Sequence, residues 1–155
     1  MSPAGPVDAG TLLTVRDLKV HFRIGGGFLS RKPRAVVKAV DGVNFTLKAG
    51  ETLGLVGESG CGKSTLGRAV LRLLSNAEGH VVWLGQNLAE LQDEAMRLKR
   101  REMQIIFQDP LASLNPRMTA GEIIAEPVRT FEPGLASAEV KRRVQEMMAK
   151  VGLLP

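Results

Sequence analysis

The residues best equipped for chemistry lie between Gly57 and Thr65, which read Gly-Glu-Ser-Gly-Cys-Gly-Lys-Ser-Thr. Gly57, four residues, then Gly62, Lys63 and Ser64 is the spacing of a phosphate-binding loop, and each residue type meets a demand of a polyphosphate. Glycines at 57, 60 and 62 let the backbone curl close to phosphate oxygens with no Cβ in the way. The amides around Ser59, Cys61 and Thr65 can then turn inward at the start of a helix, where unpaired N–H groups and the positive end of the dipole favour an anion. Lys63 brings a mobile positive charge, and the Ser64 hydroxyl is placed to ligate Mg²⁺. Cys61 reads as a space-filling residue, because no nearby His supplies a base to activate it. The bland alternative is a Gly/Ser-rich turn with a chance Lys-Ser.

Such a loop needs a strand before it and a helix after it. Glu51 to Val56 is a short apolar run suited to a buried parallel strand, and Leu66, Ala69, Val70, Leu73 and Leu74 recur at helical spacing. The order strand, glycine loop, helix implies an α/β fold. Upstream, Leu13, Val15, Leu18, Val20, Phe22 and Ile24 alternate as a strand whose phase slips near Arg16-Asp17, predicting a bulge. Val37, Ala39, Val43, Phe45 and Leu47 resume the period of two, with Asp41-Gly42 as a turn or bulge. The first 50 residues thus predict an antiparallel hairpin region, its connection opened by Gly25-Gly26-Gly27.

Downstream, Gly79 to Gly85 bracket a short strand, and Asn87 is placed to cap a helix with Leu88, Leu91 and Leu98 inward. Met103 to Phe107 predicts a second buried strand ending at Gln108-Asp109-Pro110, followed by a loop from Leu111 to Arg117. Thr119 with Glu122 makes a capping-box pattern for a helix that Pro127 is expected to kink or stop. A last helix from Ser137 to Val151 places Val140, Val144, Met147, Met148 and Val151 on one face, the Met pair as core packing.

Composition narrows the class. At 155 residues, with 44% hydrophobic and 24% charged residues, the chain suits one domain or part of a larger one. A single Cys fits a reducing cytosol, no segment looks like a secretory signal, and no apolar run approaches the ~18 to 20 residues that span a bilayer. The net charge of +5 gathers at Arg31, Lys32 and Arg34, at Arg97, Lys99, Arg100 and Arg101, and at Lys141, Arg142 and Arg143. No Phe or Trp interleaves these clusters as a single-strand stacking platform requires, so they read as solvated surface or partner contact and no nucleic-acid partner is expected.

Gln108 at the end of Ile105-Ile106-Phe107, followed by Asp109-Pro110-Leu111-Ala112-Ser113-Leu114-Asn115-Pro116-Arg117, resembles the Q-loop region of ATP-binding subunits of ABC transporters, most of all the peptide and nickel importer branch. Together with the loop at Gly57 to Thr65 and the stretch Ala39 to Val43, the similarity runs from Leu12 onward. The resemblance implies a P-loop NTPase core with an N-terminal antiparallel β region and the start of a helical subdomain, an incomplete ABC nucleotide-binding domain. Residues 1–10 are then a flexible terminus, 11–50 the β region, 51–110 the core through the Q-loop, and 111–155 the start of the helical subdomain.

By resemblance the cofactors are ATP and Mg²⁺. Gly57 and the loop from Ser59 through Gly60, Cys61, Gly62 and Lys63 to Ser64 and Thr65 surround the phosphates. Lys63 contacts the β/γ-phosphates, and Ser64 and Gln108 serve the Mg²⁺. Gln108 also relays nucleotide state, and Phe22 stacks on adenine or is an ordinary strand core residue. His21 alternates to the opposite, solvent-exposed face, and His80 has no assigned role. The implied partners are transmembrane permease subunits and a second ATP-binding subunit, identical or different. They place the protein peripherally at the cytoplasmic face of the inner membrane. The family's Leu-Ser-Gly-Gly-Gln signature, its Asp-Glu strand and its switch histidine do not occur in the 155 residues, so ATP binding is expected of this chain but negligible hydrolysis. Two other readings compete: an unrelated P-loop enzyme using Asp109 on Mg²⁺, and a soluble ABC-type protein acting on nucleic acid or as an interaction module.

Overall fold

The computed structural model describes residues 10–25 and 35–153. Gly26, Gly27 and the Arg31, Lys32, Arg34 cluster lie outside the described residues, as do residues 1–9. The chain divides into two compact units, Met1–Met96 and Arg97–Pro155.

The first unit is built on an antiparallel hairpin, β1 (Thr11–Ile24) and β2 (Ala35–Lys48). After the glycine loop come α1 (Lys63–Val70), β3 (Ala77–Trp83), the two-residue β4 (Gln86–Asn87) and a 3-10 turn at Leu88–Glu90. The strands form one sheet of order β2-β1-β3-β4, antiparallel throughout. Alternation buries Leu13, Val15, Leu18 and Val20 of β1 with Val40 and Val81, and α1 adds Leu66 and Ala69. Burying four branched side chains on one strand is worth about 1.5–3 kcal/mol each.

The predicted phase slip is real: Val15 pairs with Phe45 but Leu18 with Val43, and Asp17 takes a φ of 48°. Asp41-Gly42 is a bulge within a continuous strand, not a turn, with Gly42 at φ 73°. Asn44 ties the two irregularities together, its Oδ1 accepting from the Asp17 amide at 2.9 Å and its Nδ2 donating to the Gly42 carbonyl at 2.8 Å.

The two predicted parallel strands do not form. Leu53 and Leu55 are about half exposed, Val56 is 91% exposed and Ile106 is 90% exposed, and neither segment pairs with any strand among the described residues. A parallel strand must share its backbone bonds with neighbours and bury both faces. Neither segment has such neighbours here. Only Met103 of the second run is buried. Helix α1 also stops earlier than the apolar spacing implies: Arg72 turns to φ 54° and Leu73 is exposed. Asn87 caps the 3-10 turn rather than a long helix, accepting from the Ala89 amide at 3.2 Å. Helix α2 (Asp93–Lys99) is separate and buries Met96, while Leu98 is exposed.

The second unit is a helical hairpin. The stretch expected as loop contains a short helix, α3 (Pro110–Ser113), whose N-cap is Asp109. Helix α4 (Ala120–Phe131) opens on the predicted capping box, Thr119 and Glu122 bonding reciprocally. Pro127 does not stop it; the ring lies on the exposed side and the helix continues to Phe131. Helix α5 (Ser137–Lys150) returns, and Ala125, Val140 and Val144 form the seam with Ile124, Val128, Leu135 and Met148 packed around it. Met147 and Val151 of the predicted apolar face stay exposed.

Acid should loosen this hairpin. The Thr119 amide and hydroxyl hold the Glu122 carboxyl below the usual range, and Arg142 followed by Arg143 hold Glu139 down at about 2. A carboxyl depressed in the folded state contributes stability above its unfolded value and loses it as pH falls through the folded one. The helical circular dichroism signal of α4 and α5 should therefore fall between about pH 4.5 and about pH 2. Thr119→Ala should remove about 1 kcal/mol at neutral pH. A signal flat down to pH 2, with Thr119→Ala neutral, would show that these contacts do not hold the hairpin.

Candidate functional site

The loop from Gly57 to Lys63 turns on three glycines with positive φ, 153° at Gly57, 83° at Gly60 and 101° at Gly62. Two of them also make approaches that forbid a side chain. A Cβ on Gly57 would lie 2.7 Å from Cys61 Sγ, and one on Gly62 would lie 2.2 Å from the Ala39 carbonyl oxygen on β2. Gly62 is the N-cap of α1, and its carbonyl accepts the first helical bond from the Leu66 amide at 2.8 Å. No side chain caps this end and no acidic residue stands in its first turn. The first-turn amides of Lys63, Ser64 and Thr65 are thus available to an anion.

Lys63 Nζ donates to the Gly57 and Glu58 carbonyls at 2.6 Å each and approaches Cys61 Sγ at 3.5 Å. The ammonium is folded over the loop and bridges both ends of it. Ser59, Cys61 and Ser64 are exposed, and Thr65 is half-buried. Phe22, near the end of β1, is 38% exposed and pairs with Val37, which is also exposed.

His21 points away from Phe22, as alternation requires, but it is half-buried and its Nε2 meets Asp41 Oδ1 at 2.9 Å. His80 Nδ1 lies 3.3 Å from Asn87 Nδ2. Gln108 and Asp109 belong to the second unit, both exposed. Asp109 Oδ1 accepts from the Ala112 amide at 3.1 Å, and no strand precedes it; its carboxylate is engaged as a helix cap.

Two basic clusters engage local partners. Arg97 donates to the Thr130 carbonyl, Lys99 pairs with Glu102, and Arg101 lies over the Phe131 ring 5.7 Å from its centroid. Arg142 and Arg143 share Glu139 and reach Glu146 and Glu132 respectively. The Arg142 and Arg143 guanidiniums are thus occupied by protein carboxylates.

The family model described as ABC transporter matches residues 40–155. The chain belongs to the ABC transporter family. Among curated relatives it is 57% identical to the oligopeptide transport ATP-binding protein OppF of Escherichia coli (strain K12) over 145 residues, 93% of this chain and 43% of that protein. It is 49% identical to the oligopeptide transport ATP-binding protein AppF of Bacillus subtilis (strain 168), covering 94% of this chain and 44% of that one. The chain therefore spans less than half the length of these relatives. A solved ATP-binding cassette, a dimer in a post-hydrolysis state with ADP and Pi, superposes with a TM-score of 0.69 at 24% identity, covering 89% of this chain and 56% of that one. The fold is that of an ABC ATPase cassette, an incomplete α/β P-loop NTPase domain.

The backbone contributors were not visible beforehand. Ala39 acts through its carbonyl against Gly62, and Gly57 and Glu58 hold Lys63 through theirs. No side-chain type marks such groups in a sequence.

Proposed function

We propose that this chain is the N-terminal part of the ATP-binding subunit of an importer for peptides or a related small solute, and that residues Gly57 to Thr65 bind the phosphates of ATP. The observation that carries the reading is Gly62: a left-handed N-cap pressed against a strand carbonyl at an uncapped helix end. The oligopeptide transport names of relatives at 49% and 57% identity support the class of cargo.

In this reading the Lys63 ammonium leaves the Gly57 and Glu58 carbonyls for the outer phosphates. The amides of Gly60 to Thr65 take the phosphate oxygens, and Phe22 carries the base. Mg²⁺, when bound, would supply charge neutralisation for the phosphates. Within the first unit Ser64 would hold it, and the exposed Ser64 hydroxyl next to the loop fits that task. Such a metal keeps several waters and takes few protein oxygens, so it needs no carboxylate cage. No group of three or more His, Cys, Asp or Glu suited to a metal occurs among the described residues. Residues 11–155 divide in this proposal into the β region, the core and the start of a helical subdomain. Hydrolysis needs elements beyond these 155 residues. The full subunit works with transmembrane permease subunits and a second ATP-binding subunit at the cytoplasmic face of the inner membrane. No helix among the described residues is long and apolar enough to cross a membrane.

Cys61 provides the test. It is the single cysteine, exposed, and lies within the loop. Mg-ATP at ten times its Kd should slow alkylation of Cys61 about tenfold, because only the free fraction reacts. Equal labelling of folded protein with and without Mg-ATP would remove the nucleotide site.

A further inference from the structure

The register of the β1–β2 pair slips beside the phosphate loop. Val20 pairs with Val40 and the next residue, His21, with Lys38, so Ala39 is the extra residue of a bulge on β2. A bulge re-aims the backbone that carries it and recurs next to functional sites. Here the Ala39 carbonyl is the group against which Gly62 rests, at a distance that leaves no room for a Cβ. Gly62 immediately precedes Lys63, so the bulge fixes where the innermost turn of the cradle sits.

One carboxylate closes around this bulge. Asp41 Oδ1 lies 2.9 Å from His21 Nε2 on β1, and its Oδ2 accepts from Lys38 Nζ at 3.1 Å on the far side of Ala39. The two bonds, His21 first and Lys38 second, hold the Asp41 carboxyl below the usual carboxylate range. Asn76 Nδ2 donates to the His21 carbonyl at 3.0 Å, so the same point of β1 is also held from the segment before β3. Lys19 on β1, which pairs with Asp17 at 2.8 Å and lies opposite Glu78 of β3, is also within electrostatic reach of Asp41.

We infer that Asp41, through His21 and Lys38, is a positioning residue for the phosphate loop: the clasp holds the Ala39 bulge in the register that seats Gly62. The inference rests on the nucleotide reading above. An ammonium bonded to a carboxylate makes a charge-assisted bond, stronger than a neutral one. Cradle geometry, and with it affinity for ATP, should follow the integrity of this clasp. A purely structural salt bridge would change unfolding without moving the Gly62 amide or the affinity for ATP.

The test compares wild type with His21→Ala, Asp41→Asn and Lys38→Gln at one neutral pH. Three quantities are read: the Kd for Mg-ATP, the amide resonance of Gly62 without nucleotide, and the denaturant midpoint. Asp41→Asn should weaken binding about threefold, the range of an exposed ion pair, and shift the Gly62 resonance. His21→Ala and Lys38→Gln, which each remove one arm of the clasp, should shift that resonance in the same direction by less. Asp41→Asn lowering the unfolding midpoint while leaving the Kd and the Gly62 resonance as in wild type overturns the clasp. If wild type binds no ATP the nucleotide reading fails, and the Gly62 resonance still decides the clasp.

Discussion

Gly62→Ala should destabilise the first unit by about 3 kcal/mol and abolish ATP binding. Two costs add. A residue other than glycine in the left-handed region costs roughly 1–2 kcal/mol, and forcing a methyl into occupied space costs about 1–3 kcal/mol more. At Gly62 the occupied space is the Ala39 carbonyl, a backbone group held in the sheet and unable to swing aside as a side-chain tip would. Gly60 separates the two costs. It has a φ of 83°, but nothing lies within 4 Å of where its methyl would stand, so Gly60→Ala should show the backbone cost alone. Denaturant midpoints of the two variants, with Gly54→Ala as a neutral control because Gly54 has neither constraint, check this. Equal midpoints for Gly60→Ala and Gly62→Ala would mean that β2 does not press on the loop.

This dependence on a neighbouring strand explains which parts of the fold were legible. The hairpin, the slip at Asp17, the Gly42 bulge and the Thr119–Glu122 box are local: alternation, a shift of phase and a three-residue spacing carry them. The runs at Leu53–Val56 and Ile105–Phe107 have the composition of buried strands, yet their state depends on partners that composition cannot supply. By sequence Pro127 is expected to kink or stop α4; the helix does not stop there but runs on to Phe131 with the proline on the exposed side, where the carbonyl left without its helical donor can be solvated. The bulge at Ala39 left no trace because Val37, Ala39 and Val43 keep an even spacing while the pairing slips beneath them. Within the candidate site the glycines, Lys63 and Ser64 were legible from type and spacing. What was not legible is the backbone that holds them.

Phosphate recognition and base recognition should come apart under mutation. Lys63→Ala removes the one ammonium in the loop, and a hydrogen bond to a charged group is worth about 1.5–3 kcal/mol, so affinity should fall roughly 10- to 150-fold. The loss should be the same for Mg-ATP and for Mg-tripolyphosphate, which shares the phosphates and lacks the base. Phe22→Ala should cost ATP about 1 kcal/mol, close to fivefold, and leave tripolyphosphate unchanged. Val37→Ala trims the cross-strand neighbour on the same face and controls for damage to the strand end, since both residues are exposed there. Lys63 also clamps the Gly57 and Glu58 carbonyls, so its removal loosens the loop as well as uncharging it. Lys63→Arg distinguishes the two effects: it keeps the charge but replaces a compact ammonium with a planar fork that does not fit between two carbonyls 2.6 Å from one nitrogen. If Lys63→Arg binds tripolyphosphate as wild type does, charge alone suffices. If it fails as Lys63→Ala does, the clamp is part of the site. Phe22→Ala weakening both ligands equally would return Phe22 to the strand and leave the base without its proposed platform.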